Sequence, residues 1–179
     1  MRVSRQGLWT YLGLAAALAA PTSVRAAAAP HLSLWSPAFK SEGTIPRQYT
    51  CVGKDVPPPL AWSGVPAKAK SLALVIDDPD ALAGTWTHWL VYDLPASLRG
   101  LPEGQKLPDS ARQGRNSFAV VGYGGPCPPV GRAHRYRLRL YALSAELKLP
   151  PGAGEHDLFT AMKGRILSSA GMRAYFGRP

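Results

Sequence analysis

Two cysteines, three methionines and eleven acids set against twenty-one lysines and arginines leave several classes of protein out of reach of this 179-residue chain. Two cysteines exclude a disulfide-dense scaffold and permit one bridge. No run of lysine or arginine is longer than two and there is no basic tail, so a dedicated nucleic-acid-binding protein is not expected. No His-x-His pair or His-Glu-x-x-His segment presets a metal site, and no Gly-x-Ser-x-Gly marks a serine hydrolase. Neither a metal nor another cofactor is expected. No internal repeat and no low-complexity linker divides the chain. Its one long apolar run, Leu8 to Ala20, is short of the roughly 20 residues that span a bilayer core.

That run is read as the centre of a secretory signal. Arg2 and Arg5 precede it, Pro21 breaks it, and Val24-Arg25-Ala26 places small residues at cleavage positions. Residues 1–26 are therefore expected to be removed, and residues 27–179 to form one exported domain, periplasmic or secreted, with no stable membrane span. Removing 26 of 179 residues leaves 153, enough for a proper hydrophobic core. The signal carries three arginines and no acid, so the formal charge falls from +10 to +7. In an exported chain Cys51 and Cys127 are expected to pair as a disulfide; two buried thiols, or a nucleophilic Cys127, are the alternatives.

Proline and glycine are plentiful, eighteen of each. They cut the chain into short apolar or alternating runs, which predicts a mainly β fold with long ordered loops. Ser71 to Asp77 is nearly all apolar and reads as a strand buried on both faces, with Leu72, Leu74 and Ile76 on the parity that leads to Asp78. Thr87 to Leu94 reads as a strand with His88, Leu90 and Tyr92 on one face. In His134 to Leu143, His134, Tyr136, Leu138, Leu140 and Ala142 share the core face, His134 and Tyr136 at its rim; Arg135, Arg137 and Arg139 share a solvated one. Apolar residues at three-four spacing from His156 to Ala170 predict the one helix, weakened by Gly164 and capped by Gly171. Strands followed by a single helix indicate an antiparallel β-sandwich, not alternating βαβ units. Trp35, Trp62 and Trp89 read as core, Asp77 as a turn residue beside Pro79, and Glu103, Glu146, Glu155 and Asp157 as surface or cap residues.

Asp78, Asp80, His88 and His134 fall at three strand ends, which a sandwich can gather at one rim. Either histidine alone reads as structural. Two of them, each beside an aromatic in a Pro/Gly-flanked segment, read as a binding site. Both rings can donate a hydrogen bond, and each takes up a proton near pH 6.5 when unperturbed. Asp78 would repel a dianion, so its role is to orient a histidine or to meet an ammonium group. Tyr136 offers a hydroxyl donor and Trp86 a flat wall. Two histidines and a carboxylate also match a facial metal triad, and Asp78-x-Asp80 matches a phosphate-transfer nucleophile, but that chemistry needs a parallel sheet.

Asp78-Pro-Asp-Ala-Leu-Ala-Gly-Thr-Trp-Thr-His88-Trp and Gly124-Gly-Pro-Cys-Pro-Pro-Val-Gly-Arg-Ala-His134-Arg-Tyr136, in that order, resemble the paired signature of the phosphatidylethanolamine-binding protein family, in its bacterial Raf kinase inhibitor-like branch. Ile45-Pro-Arg-Gln-Tyr-Thr-Cys51 and Pro58-Pro-Leu-Ala-Trp62 extend the resemblance, which runs from about Phe39 to the C-terminus. It implies a β-sandwich with one C-terminal helix and a ligand pocket formed by Asp78, Trp86, His88, Pro128, His134 and Tyr136. Leu82, Pro57 and Val52 depart from the usual residues of that family. The expected function is that of a non-enzymatic binding module for a small anionic ligand or phospholipid headgroup, with a possible protein partner. The alternatives are a small enzyme using His88 or His134 as acid/base, and an inhibitor of a kinase or protease acting through its surface.

Overall fold

The computed structural model describes residues 31–178 except Gln105; the signal sequence read at residues 1–26 lies outside them. The strands are β1 (Ser33–Trp35), β2 (Gly43–Thr44), β3 (Leu60–Ser63), β4 (Ser71–Asp78), β5 (Trp86–Pro95), β6 (Gly100–Leu101), β7 (Arg112–Gln113), β8 (His134–Leu143) and β9 (Ile166–Phe176). Among the described residues a single α-helix, α1 (Glu155–Met162), precedes the last strand, and a 3-10 turn lies at Arg47–Tyr49. Six strands form a sheet in the order β2-β9-β8-β4-β5-β7, and β1-β3-β6 form a smaller one. Pairing is antiparallel except between β2 and β9.

The apolar run of β4 is the centre of the large sheet and is buried along its whole length. Its two parities feed two cores. Leu72, Leu74 and Ile76 pack with Trp62, Leu138 and Leu140 between the sheets, while Ala73 and Val75 pack with Leu158 and Met162 beneath α1. A strand with both faces covered has no reason to alternate in sequence. β8 alternates because only its His134–Ala142 parity faces the inter-sheet core.

The helix is shorter than the sequence pattern predicts. It stops at Met162, and Ile166 to Ala170, expected to be its second half, open β9 instead. Gly164 reverses the chain with φ +70°, and β9 then pairs with β8 from Leu143↔Ile166 to His134↔Phe176. Gly171 lies inside that strand and caps nothing. A ten-residue open edge on β8 outweighed the helical spacing, as tertiary context overrides local preference. Gly164→Ala is expected to cost about 1 kcal/mol, because an alanine pays for the left-handed backbone that glycine adopts freely. A urea midpoint lowered without a change in slope would show it.

Trp62 and Trp89 are core residues, whereas Trp35, also expected there, is 45 % exposed. Among the described residues no helix is long and apolar enough to cross a membrane.

Candidate functional site

Antiparallel pairing gathers the end of β4 and the starts of β5 and β8 at one rim of the large sheet. Asp78 stands opposite Trp86 across β4–β5, and Asp77 opposite Arg137 across β4–β8. Two irregularities in the β4–β5 ladder decide where the next side chains point. Between Ile76 and Asp77 the register shifts, so that Ile76 faces Trp89 but Asp77 faces Thr87. His88 is the extra residue. The bulge turns it away from Leu90 and Tyr92, which pack beneath α1, and toward the inter-sheet side, where its ring meets Tyr136 edge-on at 5.3 Å. Simple alternation, which put His88 on the Leu90–Tyr92 face, fails here, and the other irregularity, between Leu72 and Leu74, likewise carries Leu94 into the inter-sheet core.

A cavity of about 260 Å³ opens at this rim, lined by Asp78, Trp86, His88, Phe118, Pro128 and His134 among others. Its size suits a headgroup or a small oxyanion better than a drug-sized ligand. Of the residues expected to form the pocket, Tyr136 alone is absent from the wall. It is fully buried behind His88, not at the rim, and its hydroxyl has no hydrogen-bond partner among the described residues.

Asp78 is 3 % exposed. One carboxylate oxygen accepts the backbone N–H of Asp80 at 2.8 Å and the other faces Nδ1 of His134 at 2.7 Å. Asp80 in turn accepts the backbone N–H of Arg135 at 2.9 Å and its guanidinium at 3.0 Å, which staples the turn after β4 to the start of β8. On the other side Nδ1–H of His88 donates to the carbonyl of Gly124 at 2.7 Å, while Gly124 N–H donates to the carbonyl of His88 at 3.0 Å. Burial pulls the proton affinity of His88 below that of a free imidazole; the Gly124 carbonyl and Asp78 oppose the shift without cancelling it. His88 is therefore neutral at pH 7, which revises the expectation that both rings gain charge near pH 6.5. Burial, with Asp78 and Asp80 nearby, also drives the Tyr136 phenol far above its usual range and keeps it a neutral donor.

The loop from Gly124 to Gly131 forms the remaining wall and is fixed from two sides. Cys51 and Cys127 are disulfide-bonded with Cα atoms 5.4 Å apart. Gly125 N–H donates to Asp55 at 2.7 Å, and a Cβ on Gly125 would lie 2.4 Å from that carboxylate and 2.6 Å from the Tyr49 carbonyl, so only glycine fits there. From the opposite side Arg178 Nε–H donates to the carbonyl of Pro128 at 2.7 Å. Phe118, which is not among the expected pocket residues, also lines the cavity. Asn116 accepts the backbone N–H groups of Phe118 and Val120, and the turn holds the Phe118 ring 5.3 Å from Trp86 and 5.5 Å from His88. An aromatic in an otherwise polar Gly-Arg-Asn-Ser-Phe segment was the available signal.

Asp77 is not a turn residue. It lies wholly buried on the opposite face of β4, bound to Arg137 and Arg139. The arginines expected to be solvated are thus half-buried partners of acids.

Known proteins resemble this chain in sequence and in fold. A UPF0098 protein of Methanothermobacter thermautotrophicus is 46% identical over 151 residues, which is 82% of this chain and 99% of that protein. A protein of Mycobacterium tuberculosis with lipoprotein in its name, LppC, is 46% identical over 129 residues, covering 72% of this chain and 63% of its own length. The crystal structure of a phosphatidylethanolamine-binding protein homologue from Chlamydia trachomatis, CT736, superposes with a TM-score of 0.80 at 37% identity, over 84% of this chain and 99% of that one. The two sheets, the rim cavity between Asp78 and His134, and a match over residues 35–177 to the family model described as phosphatidylethanolamine-binding protein place the chain: it belongs to that family.

Proposed function

We propose that this chain is an exported binding module, periplasmic or secreted, that holds a phosphate-like or other small anionic group in the rim cavity between β4, β5 and β8. The observation that carries the reading is the buried Asp78–His134 pair, 2.7 Å apart, sharing a small cavity with His88 and with the ring of Trp86. A lipid headgroup and a free phosphate present the same chemistry to these groups. The disulfide and the signal-like residues 1–26 support export.

The same Asp–His pair could orient an acid/base catalyst. Binding is favoured over turnover because the cavity wall contains no serine, threonine or lysine, and its one cysteine is tied up in the disulfide.

Calorimetric titration with inorganic phosphate tests the reading. His134→Ala is expected to weaken binding by about 1.5–3 kcal/mol, the scale of a hydrogen bond to a charged group. Unchanged affinity in both His134→Ala and His88→Ala, with melting temperatures preserved, would make the histidines structural and remove the site.

A further inference from the structure

A site for anions would ordinarily be basic, and this one is not. Among the described residues lining the cavity there is no lysine and no arginine. Asp78 brings a negative charge and His134 sits directly on that carboxylate, so even a protonated His134 leaves the pair with no net positive charge. A dianion placed here would have no fixed cation to meet, which makes its desolvation costly.

The hydrogen-bonding inventory is equally unusual. A carbonyl has no proton to give, so the bond between Nδ1 of His88 and the carbonyl of Gly124 assigns the ring's proton to Nδ1. In a neutral imidazole the other nitrogen, Nε2, is then a lone pair seeking a donor. The surroundings of the ring keep it neutral. Asp77 and Asp78 on β4 are the charged groups that would favour protonation, Tyr136 on β8 and Phe118 pack against its faces and edges, and burial outweighs the carboxylates. His88 therefore greets an incoming oxyanion with an acceptor, where a bare anionic oxygen would meet repulsion.

Resting on the anion-site reading above, we propose that the cavity selects an oxyanion that still carries one acidic proton. The ligand class is a phosphate monoester in its singly ionised form, its P–OH donating to Nε2 of His88 and its ester group lying against the ring of Trp86. Sulfate esters and fully ionised phosphates, which have no proton to give, are rejected. Sites built around a fixed donor or acceptor discriminate strongly in this way, because the wrong ligand leaves a buried polar group unpaired.

Phenyl phosphate and phenyl sulfate decide the matter. Below the second ionisation of a phosphate monoester, near pH 6, the two have the same shape and charge and differ by one proton. Calorimetry on the disulfide-bonded protein at about pH 5 is expected to show phenyl phosphate binding at least about tenfold tighter than phenyl sulfate. That ratio should fall to about one or below by pH 8, where phenyl phosphate has lost its proton and carries one charge more than phenyl sulfate. The ratio cancels protonation of groups that act on both ligands alike; protonating His88 would itself lower the ratio, because its acceptor would become a donor, so a ratio near one at the lower pH counts against the assignment. Phenyl sulfate binding within about threefold of phenyl phosphate at the lower pH would overturn the selectivity while leaving an anion site standing. Binding of neither ligand at either pH would overturn the site itself, and the selectivity with it. In His88→Gln, whose amide can turn either a donor or an acceptor to the ligand, the ratio at the lower pH should fall below about threefold. A ratio as large as in the wild type would show that His88 is not the acceptor and overturn the assignment.

Discussion

Replacing Cys51 and Cys127 together by serine is expected to lower the stability of this fold by about 4 kcal/mol and its melting temperature by roughly 10–15 °C. The bridge joins positions 76 apart, so it removes a large loop's worth of freedom from the unfolded chain. The same change should reach the rim, but weakly. Cys127 is part of the cavity wall and precedes Pro128. Several contacts outlast the bridge: Cys51 N–H to the Pro126 carbonyl at 3.2 Å, Gly125 N–H to Asp55 at 2.7 Å, and the Tyr123 hydroxyl to the Tyr49 carbonyl at 2.6 Å. Affinity for phosphate should therefore fall only about three- to tenfold, well short of the change in folding equilibrium. Thermal melts and calorimetry on the oxidised wild type and the double serine variant separate the two effects. A melting temperature within about 3 °C of wild type would mean that the unfolded chain gains little freedom when the bridge is lost.

The large sheet was legible where the sequence repeats with the period of a single buried face. His134 to Leu143 alternates cleanly, and the strand spans those residues with the expected parity inward. The continuous apolar run of β4 likewise reported its double burial. What could not be read was anything that breaks the period. One inserted residue in the β4–β5 ladder moves His88 from the face of Leu90 to the cavity, and no pattern of two announces a bulge. Ile166, Leu167 and Ala170 satisfy helical spacing, yet Ile166 and Leu167 are 46 % and 42 % exposed because their strand covers the edge of β8 with its backbone. The residues gathered at the rim were visible as types, since histidine and aspartate stand out beside proline and glycine. Their orientation was not, because the Gly124 carbonyl that fixes the tautomer of His88 belongs to the backbone and leaves no mark on the side-chain sequence.

Asp77 and Asp78 are neighbours with the same side chain, and the pleat sends them to opposite faces with opposite tasks. Asp77→Ala is expected to reduce stability by about 2–3 kcal/mol while leaving affinity for phosphate within about threefold of wild type. Its carboxylate is wholly buried and accepts from Arg137 at 2.7 and 3.1 Å and from Arg139 as well. Arg139 in turn lies 5.3 Å over the ring of Phe159, so the cluster ties β4, β8 and α1 together. Removing the acid strands two guanidiniums beside each other. Their side chains are 36 % and 27 % exposed, so water recovers part of the loss, which places the cost below the 3–5 kcal/mol or so of a fully buried broken pair. Asp78→Ala should do the reverse. It leaves the N–H of Asp80 and Nδ1 of His134 without their acceptor, a cost of about 1–2 kcal/mol in stability. It also frees the His134 ring to turn, so phosphate affinity should fall at least about tenfold. Melting curves and calorimetry on the two variants read both quantities. An Asp77→Ala protein that melts like wild type would show that the arginines find water as good a partner as the acid. An Asp78→Ala protein that binds phosphate normally would show that His134 needs no orienting carboxylate, and that the acid at the end of β4 serves the turn through Asp80 alone.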